Sequence, residues 1–361
     1  MSIHILPTRL ADGRELIYFD DSDTTLPGVR RADLRTLDAR PHTATMRKDP
    51  LNGEWVSIVP SRQARAFLPS DDSNPLVPQT PTNPSEIPDN YDVVVFENRS
   101  PSFGPAVGVS TPTGDTTFGV AAPATGRCEV VCFSPDPQGS LGGQSVSRVR
   151  TVIEAWAHRT SALSRVSGVE QVFVFENRGE AIGVTLHHPH GQIYAYPFVT
   201  PKTQRLVASA RAYGGEFFSD LLAFESSSER VVWAGENFTA YVPFAARWPI
   251  EIHLLPHRHV PDLEALEGEE KDELAVIYRT LLRAIDALYD TPTPYIAAWH
   301  QAPVRHNRDL IRLMLQITSP RRAEDKLKYL AGSEAAMGAF IGDVAPEEQA
   351  ERIRVAWESV S

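Results

Sequence analysis

Cysteine is scarce in this sequence: Cys128 and Cys132 are the only two thiols in 361 residues. So small a number is no disulfide framework. On the strand expected around them, both fall on one face roughly 13 Å apart at ~3.3 Å per residue, too far to bridge. They read as buried core thiols. Long apolar runs are lacking too, and none reaches the ~20 residues of a membrane span. Residues 1–9 have no charged region followed by an apolar core, so no signal peptide is expected. Positive charge is in deficit, with 35 Lys and Arg against 46 Asp and Glu and a formal net charge of −11. That disfavours non-specific binding to nucleic acid or an anionic membrane, while leaving room for a local cationic pocket for phosphates. These absences together point to a cytoplasmic enzyme.

What is abundant is proline, at 29 residues, which implies many extended segments and loops. The length suits about two domains. Residues 1–40 carry one strand candidate, 15–19, and read as an extension. Asn52-Gly53 signals a hairpin, with a strand at 55–59. Loops are expected at 68–90 and 101–126, and strands at 91–96, 129–133 and 169–175. A helix at 144–163 places Val146, Val149, Ile153, Trp156 and Ala157 on one face. After residue 201 the cycle repeats. A helix candidate at 203–224 precedes strands at 231–233, 239–244 and 251–255. The amphipathic helix 263–289 follows, then strands 295–300 and 310–318 and a helix at 346–359. The fold class is therefore α+β, with related halves at 41–200 and 201–361, each a mostly antiparallel sheet under one long helix.

Three of the eleven histidines crowd into four positions, His187, His188 and His190. Pro189 biases His188 away from helix. On extended backbone His188, His190 and Gln192 would share a face, with Gly191 allowing close approach of a ligand to the backbone. A pair of imidazoles at this spacing is compatible with half a metal site, although no cysteine or carboxylate stands nearby to complete it. It is also compatible with a nucleophilic imidazole, one ring nitrogen free and the other held by an acceptor. Gln192, and the arginines in the two Glu-Asn-Arg copies (97–99 and 176–178), would then meet a phosphate.

His188-Pro189-His190-Gly191-Gln192 resembles the active-site signature of the galactose-1-phosphate uridylyltransferases, within the histidine-triad superfamily. Asn52-Gly53-Glu54-Trp55-Val56, Ser61-Arg62-Gln63-Ala64-Arg65, Phe96-Glu97-Asn98-Arg99 and Cys132-Phe133-Ser134-Pro135-Asp136 match in order. So do Val174-Phe175-Glu176-Asn177-Arg178-Gly179, Ala298-Trp299-His300-Gln301-Ala302-Pro303 and the segment Lys326 to Glu334. The resemblance covers about 46–340, and the branch with an N-terminal extension, actinobacterial-like, is the most similar. It implies two histidine-triad-like halves, a homodimer and a ping-pong reaction. His190 would take UMP from UDP-glucose, release glucose 1-phosphate, and pass UMP to galactose 1-phosphate to give UDP-galactose. Gln192 would bind the transferred phosphoryl group and His188 would orient His190. Arg62, Arg65, Asn98, Asn177 and Thr185 would hold the nucleotide and its phosphates. Lys328, Tyr329, Ser333 and Glu334 would lie near the sugar phosphate, contributed across the dimer.

The sequence also departs from the family. Where many members hold a structural zinc, Asn74 and Val77 replace the two thiolates and Pro137 replaces a histidine, so only His188 is left. Apolar packing of Leu76 and Val77 is expected in the metal's place. For a second metal site His300 is present, but Leu206, Met314 and Gln316 stand at the other positions. No cofactor is therefore expected. His257 and His259 read as strand-end surface residues. The alternatives are a phosphorylase that passes the nucleotidyl group to inorganic phosphate, and a non-catalytic nucleotide-binding relative.

Overall fold

The structure, a computed structural model, describes residues 3–21, 28–40, 43–64, 70–108 and 117–361. In the first half the strands are β1 (His4–Arg9), β2 (Glu15–Asp20), β3 (Thr45–Lys48), β4 (Trp55–Ile58), β5 (Val93–Glu97), β6 (Ala121–Pro123) and β7 (Arg127–Cys132). Helix α1 (Val146–Ser164), β8 (Gln171–Arg178) and β9 (His190–Tyr196) complete it. The second half has helices α2 (Pro201–Tyr213) and α3 (Phe217–Ser226), then β10 (Val231–Ala234), β11 (Phe238–Tyr241) and β12 (Ile250–Pro256). It continues with α4 (Gly268–Asp286), β13 (Tyr295–His300), β14 (Met314–Ser319), the short hairpin β15 (Arg321–Ala323) and β16 (Lys326–Leu327), and α5 (Pro346–Val360).

The expected α+β class is what the chain adopts, with one addition. The sheets of the two halves are fused into one antiparallel sheet of eleven strands, ordered β1-β2-β5-β7-β9-β8-β13-β14-β12-β11-β10. The seam is β8 against β13, where Arg178 pairs with Tyr295 and Phe175 with Ala298. Helices α1 and α4 lie side by side on one face of this sheet. Trp156, Tyr278 and Trp299 meet there with ring centroids 5.9–6.0 Å apart. One apolar cluster runs from Val149 and Val152 across to Leu274 and Ile285. Burying such side chains contributes roughly 1.5–3 kcal/mol each, so the halves are held by a shared core as well as by the seam.

Local chemistry sets the element ends. The Ser145 side chain accepts from the Arg148 N–H at 3.1 Å and starts α1, as an N-cap should. Glu267 and Glu270 form a capping box, which is why α4 begins at Gly268 rather than at 263 as the apolar spacing suggested. The helix expected at 203–224 is two helices, because Gly214 takes a left-handed conformation (φ 73°) that ends α2. Strands β1 and β6 went unread in segments where proline broke the pattern. At the far edge α5 covers β10, with Trp357 against Trp233 at 5.9 Å. Arg354 donates there to the carbonyl of Val231 at 2.8 Å.

The helix-free face of the first half is what positions the site. Phe96, Val94, Cys132, Leu76 and Tyr91 form a second apolar cluster on it. His190 pairs with Cys132 and Gln192 with Val130 across β9–β7. Both cysteines are buried thiols, and no disulfide joins them.

Candidate active site

Strand β9 begins at His190, so His190, Gln192, Tyr194 and Tyr196 alternate with the buried Gly191, Ile193 and Ala195. Gly191 is required for a different reason from the one expected. A Cβ there would meet the Phe133 ring at 3.0 Å and the Phe175 carbonyl at 3.1 Å, so the close approach is by the protein itself. His188 precedes the strand and is almost wholly buried.

The His190 Nδ1–H donates to the His188 carbonyl at 2.7 Å. That bond fixes the tautomer and leaves the Nε2 lone pair outward. Burial lowers the His190 pKa, so the ring is neutral, as a nucleophile must be. His190 is shared by two cavities. One, about 270 Å³, is lined by Gln138, Asn177, His187, His188 and Pro189 among others. The other, about 410 Å³, is lined by Leu76, Phe96, Asn98, Val130, Thr185 and Gln192 among others. A larger cavity of about 470 Å³ lies between Arg47, Val56 and Phe118, but it has no imidazole or thiol in its wall.

The His188 ring is held on both nitrogens. Its Nε2–H donates to the Ser134 carbonyl at 2.7 Å, and Nδ1 accepts from the Asn74 amide at 3.3 Å. The Asn74 Oδ1 is engaged by the Leu76 N–H at 2.9 Å, which sets the amide's orientation. The Tyr91 hydroxyl sits 3.1 Å from His188 Nε2, and its single O–H is shared between the carbonyls of Leu76 and Ser134, at 2.7 and 2.8 Å. Burial, with His190 alongside, pushes the His188 pKa down to about 4. The expectation that apolar packing replaces the family zinc is thereby corrected. Leu76 is buried but Val77 only partly, and what surrounds His188 is a polar network. Asn74, Val77 and Pro137 offer no thiolate or imidazole, so the residues present do not fit a structural zinc. At the second position Leu206 and Met314 belong to an apolar cluster, which does not fit a metal either. Among the described residues no group of three or more His, Cys, Asp or Glu is placed to hold an ion.

The family model described as galactose-1-phosphate uridyl transferase, N-terminal domain, matches residues 35–200. Its C-terminal counterpart matches residues 206–357. The chain belongs to the galactose-1-phosphate uridyl transferase family. It is 43% identical over 369 residues to the galactose-1-phosphate uridylyltransferase of Streptomyces lividans, covering 96% of each chain. Against that of Thermotoga maritima it is 34% identical, covering 86% of this chain and 97% of the other. A solved uridylyltransferase structure superposes with a TM-score of 0.80 at 30% identity, covering 88% of this chain and 99% of that one. Family membership makes the protein a nucleotidyltransferase of sugar phosphates. No helix among the described residues is long and apolar enough to cross a membrane.

The family's site residues fall into two groups here. His190, Gln192, Asn98 and Thr185 line one cavity, and His188 and Asn177 line the other beside His190. The remainder are elsewhere. Arg62, on a single turn of 3₁₀ helix (Pro60–Ala64), hydrogen-bonds the Ser102 hydroxyl, and Arg65 lies outside the described residues. Lys328 is buried, donating to the Arg247 carbonyl at 2.9 Å and to that of Ile341. Glu334 lies 3.8 Å from it and accepts the Ala331 N–H. The Ser333 hydroxyl donates to the Ala339 carbonyl, and Tyr329 is 77% exposed. None of Lys328, Tyr329, Ser333 and Glu334 is among the residues that line the two cavities with His190. Sequence reasoning missed Tyr91, Ser134 and Asn74 as the holders of His188. A lone hydroxyl opening the run Tyr91-Asp92-Val93-Val94-Val95 was the available signal, since a buried Tyr O–H needs a partner.

Proposed function

We propose that the protein transfers a uridylyl group from UDP-glucose to galactose 1-phosphate through a covalent uridylyl-His190 intermediate. The observation that carries this is the His190 ring itself, with Nδ1–H anchored, Nε2 without a hydrogen-bond partner among the described residues, and a cavity on either side. The Nε2 lone pair attacks the α-phosphorus. A P–N bond forms, the P–O bond to glucose 1-phosphate breaks, and the departing phosphate takes the electron pair. Galactose 1-phosphate then attacks through a phosphate oxygen and regenerates neutral His190, giving UDP-galactose. Gln192, Thr185 and Asn177 donate to the phosphoryl oxygens, where charge develops. Asn98 faces the nucleoside. Because one phosphate ester replaces another, the step demands no metal. Arg62 and Arg65 are assigned to the phosphate charge of the nucleotide, and Lys328, Tyr329, Ser333 and Glu334 to the sugar phosphate, these four reaching His190 from a second copy in a homodimer. The half 41–200 thus supplies the nucleophile, and 201–361 the acceptor segment, in a cytoplasmic enzyme.

The test is a single-turnover burst. Mixing the enzyme with UDP-glucose alone should release one equivalent of glucose 1-phosphate per site. Galactose 1-phosphate should then discharge the labelled protein. Discharge by inorganic phosphate instead would make it a phosphorylase, and no burst at all would leave a nucleotide-binding protein.

A further inference from the structure

The family match begins at residue 35, so the β1–β2 hairpin lies outside it. The hairpin nevertheless reaches the larger cavity beside His190. Arg14, just before β2, is 1% exposed and lines that cavity together with Glu86. Its guanidinium is fixed on three sides. Nε donates to Asp12 at 2.6 Å, Nη1 to the Glu97 carbonyl at 3.0 Å and Nη2 to Glu86 at 2.6 Å. Arg35 stands 3.5 Å from the same Glu86 oxygen and is itself held by both oxygens of Asp33 at 2.8 Å.

Strands β9, β7, β5 and β2 are successive neighbours, ~4.8 Å apart, which sets the start of β2 roughly 14 Å from the strand of the nucleophile. Leu76, Phe96, Val130 and Leu186 line the space between. The cavity is therefore a slot with phosphate chemistry at one end, apolar walls, and a rigid N–H donor beside a carboxylate at the other. An arginine has five N–H groups, and three are engaged in the contacts just named.

We propose that Arg14 and Glu86 read the edge of the uracil base, which makes the N-terminal hairpin a specificity element of the nucleotide subsite. This rests on the reading of His190 as the uridylyl acceptor. Uracil presents a carbonyl next to an N3–H. A guanidinium N–H donates to the carbonyl, and the Glu86 carboxylate accepts the N3–H. Cytosine presents an unprotonated N3 at that position, which sets two acceptors face to face. A site that leaves buried polar groups opposed rejects the wrong ligand more strongly than one that merely loses a contact. The ion pairs hold the donor in place beforehand, so little freedom is lost on binding.

The experiment is equilibrium binding of UMP, CMP and glucose 1-phosphate to the full chain, its Glu86→Gln variant and its Arg14→Met variant, with melting curves for each. The parent should prefer UMP. In Glu86→Gln the preference for UMP over CMP should fall by about tenfold, because an amide can turn either a donor or an acceptor to the base. In Arg14→Met, UMP should bind about tenfold more weakly. Glucose 1-phosphate should bind equally well to all three. Glu86→Gln preserves shape and a hydrogen bond to Arg14, so it decides the matter even where Arg14→Met fails to fold. A folded Glu86→Gln protein with the parent's full preference overturns the inference, as does a parent that binds UMP and CMP alike. If the burst with UDP-glucose is intact in that case, the base reader alone is lost. A parent with neither burst nor UMP binding removes the nucleotide reading of the cavity as well.

Discussion

The seam between β8 and β13 lets the two halves be compared residue by residue. Phe175 pairs with Ala298 across it. On the outer side of each, Gln192 pairs with Phe175 and Gln316 with Ala298. A half-turn about the seam therefore lays Gln192 on Gln316, Gly191 on Leu315, His190 on Met314 and Asn177 on His300. The first half offers His-Gly-Gln to two cavities. The second offers Met-Leu-Gln, with Met314 packed against an apolar cluster that includes Leu206, Tyr241 and Ile311. Its imidazoles at His300 and His253 are also occupied. His300 Nε2 bonds the Gln316 carbonyl oxygen at 3.1 Å, and His253 Nε2 bonds Glu251 at 3.1 Å. The Gln316 amide donates to Glu251 at 2.7 Å, and Lys202 donates to Gln316 at 2.6 Å. Burial, with Lys202 nearby, pushes the His300 pKa down to about 3. The lesson is that histidine content does not make a nucleophile. A lone pair left unclaimed beside open space does, and only the first half has it on this strand.

The strongest way to break the contrast is to give the first half the second half's residue. His190→Met should reduce the glucose 1-phosphate burst by at least about 10³-fold, since no other group takes the nucleophile's place. The reverse change alone, Met314→His, should yield no burst in a His190→Met background. Recovery there would show that the strand position, rather than the cavities, is what matters.

A smaller change tests how the free lone pair is maintained. Tyr91→Phe removes the hydroxyl that ties Leu76 and Ser134 together beside His188. The burst rate should fall about tenfold with little change in the KM for UDP-glucose, and stability should drop by about 1–2 kcal/mol. A loss of stability with an unchanged burst would confine Tyr91 to holding the loop.

The mildest test is acid. His188 and His300 have folded pKa values near 4 and 3, against about 6.5 for an unstrained imidazole. Their folded values are depressed, so on acidification the unfolded chain takes up these protons first. Stability is then intact above about pH 6.5 and is lost as pH falls from there toward 4, by roughly 3 kcal/mol for His188 at the bottom of that window. Urea unfolding of the parent and of His300→Gln, followed from pH 7 to 4, should differ in slope by about one proton. Parallel curves would show that His300 is not held neutral by the fold.

Much of this was legible in the chain. Apolar spacing located α1, α4 and α5 and most strands, because each buries one face against the shared core. The family motif pointed to His190 and Gln192, and the structure sets both beside a cavity. Less could be read where the determinants are pairwise and distant. Nothing local in Asn74 or Tyr91 says that their side chains converge on His188, which lies far along the chain. Nor does the sequence show that β13 would seek β8 and not close its own sheet. The acceptor segment 326–334 shows the opposite limit. Its motif was clear, yet nothing local in it sets its place relative to His190.

The fused sheet also bears on how the protein stays dispersed. Two separate sheets would expose four edges, each a row of unpaired amides open to another chain. Joining them at β8 and β13 leaves two. One is β1, with Pro7 in its middle, a residue that has no N–H to offer an incoming strand. The other is β10, roofed by α5, where Arg354 already occupies the carbonyl of Val231. The arrangement that seats the nucleophile near the middle of a broad sheet thus also halves the number of edges on which cross-β aggregation could begin.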